Sequence, residues 1–326
     1  MFLQNQARIR IISELSPLIN KQTWAGKLFA CVDFINYFCG MQADNQTIGT
    51  TVSVVLFNTP ESIIKPLINS LLNSDVVDLV YFIDNSPAAN ALESLVNKLM
   101  SEYPDMKYEY IKSENKGYGA GHNIALRKTI KNGARYHLVV NPDVRWKGKV
   151  LETLIDYLDG HPKVGQIMPL TLYPDGSLQR TCRLLPTPLD LFMKRFLPAR
   201  LCRRRMERYL LPPEAYRHIL NGPYLLGSFM LFRIEAISQT GLFDERFFMY
   251  PEDIDITRRI HRNWETILYP YVSVIHDHAA ASRHNYKMLW IHITNMCKYF
   301  NKWGWFMDKE RRLFNRNLIE QVSKTE

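Results

Sequence analysis

The chain has 326 residues and a formal net charge of +9, from 41 lysines and arginines against 32 aspartates and glutamates. Hydrophobic residues make up 46% and charged residues 22%, a globular composition that excludes a disordered or collagen-like chain. No apolar stretch reaches the roughly 18 to 20 residues that span a bilayer, since the best candidate, 28–41, contains Asp33 and Asn36.

The first half of the chain is predicted to be α/β. Residues 1–48 are a helical N-terminal extension, because their apolar residues recur at helical spacing. From residue 49 onward, β-branched apolar segments alternate with helical ones, which predicts a mostly parallel sheet with helices on both faces. The predicted strands are 49–57, 79–83, 107–112 and 136–140, and the predicted helices are 61–73, 89–100 and 122–132.

The alternation weakens in the second half of the chain, after about residue 149. Residues 180–218 are predicted to be an irregular basic excursion, because five prolines interrupt a segment rich in arginine and leucine. Residues 286–326 are predicted to be an amphipathic helical tail, because aromatic and basic residues alternate at helical spacing. The remaining predicted elements are strands at 165–172 and 224–232 and a helix at 253–263.

The segment Asn141-Pro142-Asp143 follows the predicted strand 136–140 directly. In open α/β sheets, ligands bind beyond the carboxyl ends of the strands. A carboxylate there can hold Mg²⁺, which proteins bind with one or two carboxylates plus substrate phosphates. The alternative is a simple turn, since Asn, Pro and Asp are common turn formers.

Two adjacent carboxylates, Glu252 and Asp253, follow an aromatic segment and precede a predicted helix. A carboxylate in a partly apolar cleft has a raised pKa and can act as a general base. The alternative is an acidic first helical turn that stabilises the helix N-terminus. The two interpretations are compatible on one turn.

Two histidines, His276 and His278, are spaced as on one face of a strand. Neutral imidazole is a common metal ligand, although zinc would need further ligands. The alternative is a hydrogen-bonded core histidine. A Gly-rich turn, 115–121, precedes His122, but it is neither a GxGxxG motif nor a P-loop.

Basic residues interleave with aromatic and aliphatic ones in the segments 192–208 and 298–316. This pattern favours contact with an anionic membrane surface over a solvated helix face. A nucleic-acid partner is not expected, because no recognised nucleic-acid motif accompanies the charge.

The N-terminus lacks the order of a secretion signal, and the five cysteines form no CxxC pair. We therefore expect a cytoplasmic protein, peripheral on the inner face of the cytoplasmic membrane.

Taken in order, the segments resemble glycosyltransferase family 2, and closely its bacterial rhamnosyltransferase-like branch, which makes O-antigen lipopolysaccharide and other polysaccharides of the cell envelope. The resemblance covers about residues 50–285. Its most specific parts are the NPDV and FDERFFMYPED blocks. The segments are VSVVLFN, FIDNS, NKGYGAGHN, VNPDV, GSFMLFR, GLFDERFFMYPEDIDITRR and VIHDHAAASR.

This resemblance implies a GT-A fold at 49–285, in which a Rossmann-like nucleotide-binding half and an acceptor half share one mostly parallel sheet. It implies an inverting glycosyltransferase that uses Mg²⁺ or Mn²⁺ and a nucleotide-diphosphate sugar donor. The best candidate donor is dTDP-rhamnose, and the acceptor is a lipid-linked glycan. The excursion 180–218 lies where the family builds an acceptor-side loop and is interpreted as a lid or a membrane-facing element over a lipid-linked acceptor. The alternative function is a nucleotide-sugar-binding pseudoenzyme that acts as a scaffold.

The resemblance also assigns roles to residues. Asp253 is the general base, with Glu252 as the alternative, and Asp143 and His276 bind the metal, with His278 as the fallback. Asp143, Asp253 and His276 are therefore expected to converge around one cation. The motif at Asn141 begins with Asn where the family pattern has Asp. The residues expected at the nucleotide sugar are Phe57, Asn58, Asp84, Asn115, Gly117, His122, Asn141 and Asp143.

Overall fold

The computed structural model describes residues 49–87, 92–190, 193, 199–277 and 286–324. The predicted N-terminal extension, 1–48, and the fallback ligand His278 lie outside these ranges. Within them, no helix combines the length and apolar character that a membrane crossing requires.

A mostly parallel sheet forms the centre of the fold. Strands β1 to β4 run parallel to one another. Strand β11 is antiparallel to both of its neighbours, and β6 and β12 are again parallel. The order across the sheet is β3-β2-β1-β4-β11-β6-β12-β5, with β7 on β6, β9 on β12, and β8 and β10 as a separate pair. The strands are β1 (Thr50–Leu56), β2 (Leu79–Asp84), β3 (Tyr108–Lys112), β4 (Tyr136–Val140), β5 (Val144–Arg145), β6 (Val164–Leu172), β7 (Leu178–Gln179), β8 (Cys182–Arg183), β9 (Leu220–Asn221), β10 (Tyr224–Leu225), β11 (Phe229–Arg233) and β12 (Glu265–His276).

Helices cover the sheet on both faces, and a short 3₁₀ helix, Pro213–Arg217, follows the fifth of them. One core cluster packs the first, second and fourth helices against the strands, and a second cluster packs the third, sixth and seventh. The α/β architecture predicted from the alternating segments is therefore confirmed. The helices are α1 (Glu61–Leu72), α2 (Leu92–Ser101), α3 (Tyr118–Lys131), α4 (Val150–Gly160), α5 (Ala199–Leu210), α6 (Ile234–Thr240), α7 (Glu252–Ile260), α8 (Tyr286–Trp303) and α9 (Lys309–Ser323).

The Gly-rich segment is partly helical, which corrects the predicted helix start at residue 122. Helix α3 begins at Tyr118, so that Gly119 and Gly121 lie in its first turn. Glycine is required there by close packing and not by a turn. A Cβ on Gly119 would lie 2.8 Å from the Cβ of Phe243, and one on Gly121 would lie 2.8 Å from Cγ2 of Val55.

The second half of the chain is more regular than its sequence predicts. The predicted strand 224–232 is divided into β10 and β11. The excursion 180–218 contains helix α5, and the sequence pattern missed helix α4 altogether. It also missed the long strand β12, because Pro270 interrupts the pattern. The register of β12 against β6 shifts between Tyr269 and Ser273, so the strand accommodates the proline at an irregularity.

The predicted helical tail consists of two helices, α8 and α9, separated at Gly304, which has a φ of 99°. Buried residues of both helices, Tyr299 and Leu318 among them, belong to the main core cluster. The boundary predicted at residue 286 therefore does not separate two cores. The assignment of 49–285 and 286–326 to separate domains remains a prediction.

A buried arginine joins the C-terminal helices to helix α7. Arg258 is 1% exposed and makes two hydrogen bonds to the carboxylate of Asp308, at 2.8 and 2.7 Å. Its Nε donates to Glu310 at 2.8 Å, and its guanidinium lies 4.1 Å from the centroid of the Trp303 ring. At the other end of the contact, Asp255 of α7 is paired with Lys302 at 2.6 Å. These contacts hold α7 at a set position against α8 and α9.

We expect Asp308→Asn to lower the free energy of unfolding by on the order of 3 kcal/mol, because it leaves the Arg258 charge buried with weaker compensation. The matched control is Glu320→Gln, which removes a carboxylate from the exposed Arg316–Glu320 pair and should cost less than about 1 kcal/mol. Urea unfolding of the three proteins measures both effects. Equal urea midpoints for the two variants would show that the buried Arg258–Asp308 pair does not hold α7 in position.

Candidate active site

The predicted nucleotide residues follow parallel strands that end at one edge of the sheet. Phe57 and Asn58 follow β1, and Phe57 is 53% exposed. Asn58 has a positive φ of 49°, and its backbone N–H donates to the hydroxyl of Ser86 at 2.8 Å. This bond ties the end of β1 to the end of β2. Phe57 therefore presents an aromatic side chain to solvent at the edge where a ligand of such a sheet binds.

Asp84 at the end of β2 is fully buried, and its carboxylate is surrounded by donors. It accepts from Tyr110 Oη and Lys112 Nζ, both at 2.6 Å, and from the backbone N–H of Ser86 at 2.8 Å. Burial raises the pKa of Asp84, but the bonds from Lys112, Ser86 and Tyr110 outweigh it and lower the pKa to about 2. Asp84 is 0% exposed and joins the ends of β2 and β3. Its predicted bond to base or ribose stays a prediction.

The turn before α3 is docked on the loop before α7. Gly117 has a φ of 112°, and a Cβ on it would overlap the backbone of Phe248. The backbone N–H of Tyr118 donates to the carbonyl of Phe248 at 3.0 Å. Asn115 caps the turn by accepting from Gly117 N at 3.2 Å. Glycine is thus needed at 117 for both its conformation and the close backbone approach.

His122 is buried between α3 and β1. It is 0% exposed, and its Nδ1 is hydrogen-bonded to Ser53 Oγ at 2.7 Å. Ser53 is in turn bonded to His137 at 2.8 Å. Burial, and then the nearby His137, hold the pKa of His122 well below its usual range, so the ring is neutral. The side chain therefore connects α3 to β1, and its predicted place at the nucleotide sugar stays a prediction.

Asp143 and His276 meet at the far side of the same edge. The Nε2 of His276 lies 3.4 Å from Oδ1 of Asp143. The backbone N–H of Asp277 donates to the Asp143 carbonyl at 3.0 Å, next to the pairing of β5 with β12. Within the described ranges, no third Asp, Glu, His or Cys completes a metal-binding group with them. The expected convergence of Asp143, Asp253 and His276 around one cation is therefore wrong: Asp253 is not part of this group.

Gln179, which the sequence pattern did not single out, orients His276. Its Nε2 donates to the His276 carbonyl at 2.9 Å, and its Oε1 lies 3.0 Å from His276 Nδ1. An amide oxygen can only accept, so Nδ1 carries the proton and donates. In the neutral ring, Nε2 then has the lone pair, on the side of Asp143. This partner fixes both the ring orientation and the tautomer, as is usual for a metal-binding histidine.

The Asp143–His276 pair is suited to a divalent cation that also binds phosphate. Oδ1 of Asp143 is buried without a hydrogen-bond partner in the described structure. One carboxylate and one imidazole are few ligands for an all-protein metal site. They match a site in which substrate phosphates supply the other ligands, as is common for Mg²⁺. The residues present therefore fit the metal that the sequence implies.

Glu252 and Asp253 begin helix α7 and are 5% and 6% exposed. The two oxygens of Asp253 accept from the backbone N–H groups of Gly227, at 2.9 Å, and Ile254, at 2.7 Å. Burial raises the pKa of Asp253 to about 7, although the bond from Gly227 opposes the shift. Burial, and then the charge of Asp253, raise the pKa of Glu252 well above its usual range. Both shifts favour the protonated form of the carboxyl group.

Tyr118, also missed from the sequence, links the two acidic groups. Its hydroxyl donates to the Gly227 carbonyl at 2.8 Å, beside the Asp253 contact. The neighbouring Ser228 carbonyl accepts from Asn141 N at 3.0 Å, at the end of β4. Burial, and then the charges of Glu252, Asp253 and Asp143, raise the pKa of Tyr118 well above its usual range. The charges of all three carboxyl groups therefore act on this one phenol.

Similar proteins are found by sequence. The N-acetylglucosaminyl-diphospho-decaprenol L-rhamnosyltransferase of Mycobacterium tuberculosis is 33% identical over 156 residues, which are 44% of this chain and 47% of that protein. The match thus spans about half the length of that relative. Rhamnosyltransferase WbbL of Escherichia coli (strain K12) is 25% identical over 276 residues, 81% of this chain and 95% of that protein.

Solved structures share the fold. The mannosyltransferase PcManGT from Pyrobaculum calidifontis, in complex with GDP-Man and Mn²⁺, has a TM-score of 0.52 at 14% identity and covers 90% of this chain and 81% of that one. S. aureus TarS 1-349 in complex with UDP has a TM-score of 0.51 at 15% identity, covering 76% and 65%. The expected GT-A fold is confirmed. The model of glycosyl transferase family 2 matches residues 51–239, more than half of the sequence, and the chain therefore belongs to glycosyl transferase family 2.

Proposed function

We propose that this chain is an inverting, metal-dependent glycosyltransferase. It transfers L-rhamnose from dTDP-rhamnose to a sugar hydroxyl of a lipid-diphosphate-linked glycan that becomes a surface polysaccharide. The names of the two rhamnosyltransferase relatives support the sugar, and the name of the M. tuberculosis relative supports the acceptor class. The observation that carries the reaction type is Asp253, a buried carboxylate with a pKa of about 7 at the N-terminus of α7.

The donor diphosphate would lie at Asp143 and His276, which would hold Mg²⁺ or Mn²⁺. When bound, the cation offsets the negative charge that develops on the departing nucleoside diphosphate. The exposed ring of Phe57 is placed to contact the nucleoside at the end of β1. Asn58, Asn115 and Gly117 shape the backbone of the nucleotide pocket, and Asn141 sets the position of Asp143.

Asp253 would accept the proton of the acceptor hydroxyl as that oxygen forms a bond to the anomeric carbon. The bond from this carbon to the diphosphate oxygen breaks on the opposite face, so the configuration inverts and no covalent enzyme intermediate forms. The raised pKa of Glu252 favours its protonated form, which would spare Asp253 a second carboxylate charge while it ionises. A base with a pKa near the working pH transfers protons efficiently.

We expect Asp253→Asn to lower the transfer rate by ~10²- to 10⁴-fold, the usual contribution of a general base. The carboxylate is the active form. The wild-type kcat should therefore rise about tenfold per pH unit below the Asp253 pKa of about 7 and level off above it. The variant should lose this acid limb and still bind dTDP-rhamnose with Mn²⁺ in a thermal-shift assay. Near-normal turnover by Asp253→Asn, or a flat wild-type profile from pH 5.5 to 7.5, would remove Asp253 from the role of base.

We expect Asp143→Asn to weaken Mn²⁺-dependent binding of dTDP by about tenfold or more, because an amide is a poorer ligand than a carboxylate for a hard cation. The measurement is calorimetric titration of dTDP with Mn²⁺ and with EDTA, which does not depend on turnover. Asp156→Asn, on the exposed face of α4, removes the same charge elsewhere and is the control. Equal Mn²⁺ dependence in all three proteins would contradict a metal site at Asp143.

We also propose a peripheral membrane contact on the cytoplasmic face. Phe306 and Met307, between α8 and α9, are 75% and 90% exposed, and Leu201 of α5 is 72% exposed. Both segments pack against residues 185–190: Asn315 of α9 is bonded to Leu185, and Arg205 of α5 is bonded to Asp190. The exposed arginines of α5 add a positive charge complementary to anionic lipid. They are Arg200, Arg203, Arg204 and Arg208.

Arg205 does not belong to this surface, because its guanidinium is bonded to Asp190 at 2.6 Å and to Thr187 at 3.1 Å.

We expect the triple variant Arg200→Gln, Arg203→Gln, Arg204→Gln to bind vesicles of phosphatidylglycerol and phosphatidylcholine about tenfold or more weakly, at ~1 kcal/mol per charge. The control, Lys65→Gln, Lys98→Gln, Lys131→Gln, removes three exposed charges from other helices. Co-sedimentation measures binding. An equal loss for both variants would indicate a general charge effect and no specific surface.

A further inference from the structure

Among the residues that the structure describes, no carboxylate is paired with Arg183, a cation close to the proposed base. It lies on β8 directly opposite Tyr224 of β10, and its guanidinium is 5.8 Å from the centroid of that ring. Its Nε donates to the Arg180 carbonyl at 2.7 Å. Burial raises the pKa of Tyr209 from α5 and the charge of Arg183 opposes this shift, so the guanidinium lies near that phenol. Within the described ranges Arg183 forms no salt bridge, in contrast to Arg258.

The β8–β10 pair that carries Arg183 leads directly to Asp253. Leu226, which follows β10, donates its N–H to the Thr181 carbonyl at 3.0 Å. The next residue, Gly227, donates to Asp253 at 2.9 Å. The charge of Arg183 also opposes the rise in the pKa of Asp253, so the two groups lie within electrostatic reach of each other.

A partly buried guanidinium normally has an anionic partner, because an unpaired charge is costly to desolvate. The side chains beside Arg183 are two tyrosines, Tyr209 and Tyr224, which are each 5% exposed. Guanidinium and hydroxyl groups are the donors that bind phosphate oxygens well, and arginine does so with two parallel bonds. The arrangement is therefore matched to a phosphate group that arrives with a substrate.

We propose that Arg183, with the hydroxyls of Tyr209 and Tyr224 beside it, is the subsite that binds the lipid-side diphosphate of the acceptor. This inference rests on the proposed function. The donor diphosphate already has the Asp143–His276 pair. Arg183 is coupled to the base, and the base must contact the acceptor hydroxyl. The diphosphate of a lipid-linked sugar begins one hexose ring away from that hydroxyl.

The position of Tyr209 gives the subsite a route to the membrane. Tyr209 is on α5, the helix that exposes Arg200 and Arg204 on its other face, while Tyr209 itself is buried. The same helix would thus contact anionic lipid outside and support the phosphate site inside. A lipid diphosphate, whose charged group lies at the membrane surface, would reach Arg183 without leaving that surface.

The experiment compares two acceptors with the same sugar: a short-chain alkyl N-acetylglucosaminyl diphosphate and the neutral octyl N-acetylglucosaminide. In the wild type, we expect a KM at least tenfold lower for the diphosphate acceptor, since a charge-assisted bond to phosphate contributes about tenfold or more. Arg183→Gln should raise the KM for that acceptor about tenfold or more. The KM for the neutral acceptor and for dTDP-rhamnose should change less than twofold. Arg183→Lys should recover part of the loss.

The matched control is Arg180→Gln, which removes an arginine from the same segment. Arg180 donates to the Leu211 carbonyl, and its loss should leave the acceptor preference intact. A change in the KM for dTDP-rhamnose, or an equal rise in the KM for both acceptors, would overturn the acceptor-diphosphate assignment. Either result would leave the transferase function in place. Direct binding of the diphosphate acceptor to the Asp253→Asn protein, with and without Arg183→Gln, tests the subsite independently of transfer. Equal affinities there would also overturn the subsite.

Discussion

The position of helix α7 depends on one buried cation, Arg258. A guanidinium that is 1% exposed is stable only with its charge compensated, and Asp308 and Glu310 supply that compensation from the C-terminal helices. This pairing fixes α7 in its last turn, and the Asp255–Lys302 pair holds the part that leads to its N-terminus. The carboxylates that begin this helix therefore depend on contacts more than 40 residues away along the chain. The C-terminal helices belong to the architecture of the site.

Burial changes the pKa of the carboxyl groups in the candidate site. Burial raises the pKa of both carboxyl groups at the start of α7, Glu252 and Asp253. The charge of a third carboxylate, Asp143, acts with them on the phenol of Tyr118, and Asp143 has an imidazole as its neighbour. Under the proposed function, these groups would supply the proton acceptor and the phosphate-binding pair.

The sequence by itself determined the architecture and the places where function is concentrated. Alternating apolar and helical segments are enough to indicate a parallel sheet, because strand and helix periodicities differ and parallel strands need crossovers. Parallel strands also end at one edge, which is why Asn58 and Asp143 can be grouped from sequence alone. The sequence pattern did not predict β12, because Pro270 interrupts the strand. It also placed the start of α3 too late, because Gly119 and Gly121 are explained by tight packing and not by a turn.

Only the tertiary structure decided how each side chain is used. Asp84 and His122 lie in the predicted motifs, yet both are fully buried against partners from other strands. Gln179 and Arg183 carry no motif and still orient or flank the reactive groups. Burial and partner choice depend on residues that are distant in the chain, and a pKa depends on both. Local periodicity contains no information about these contacts, so only the folded arrangement fixes protonation, tautomer and exposure.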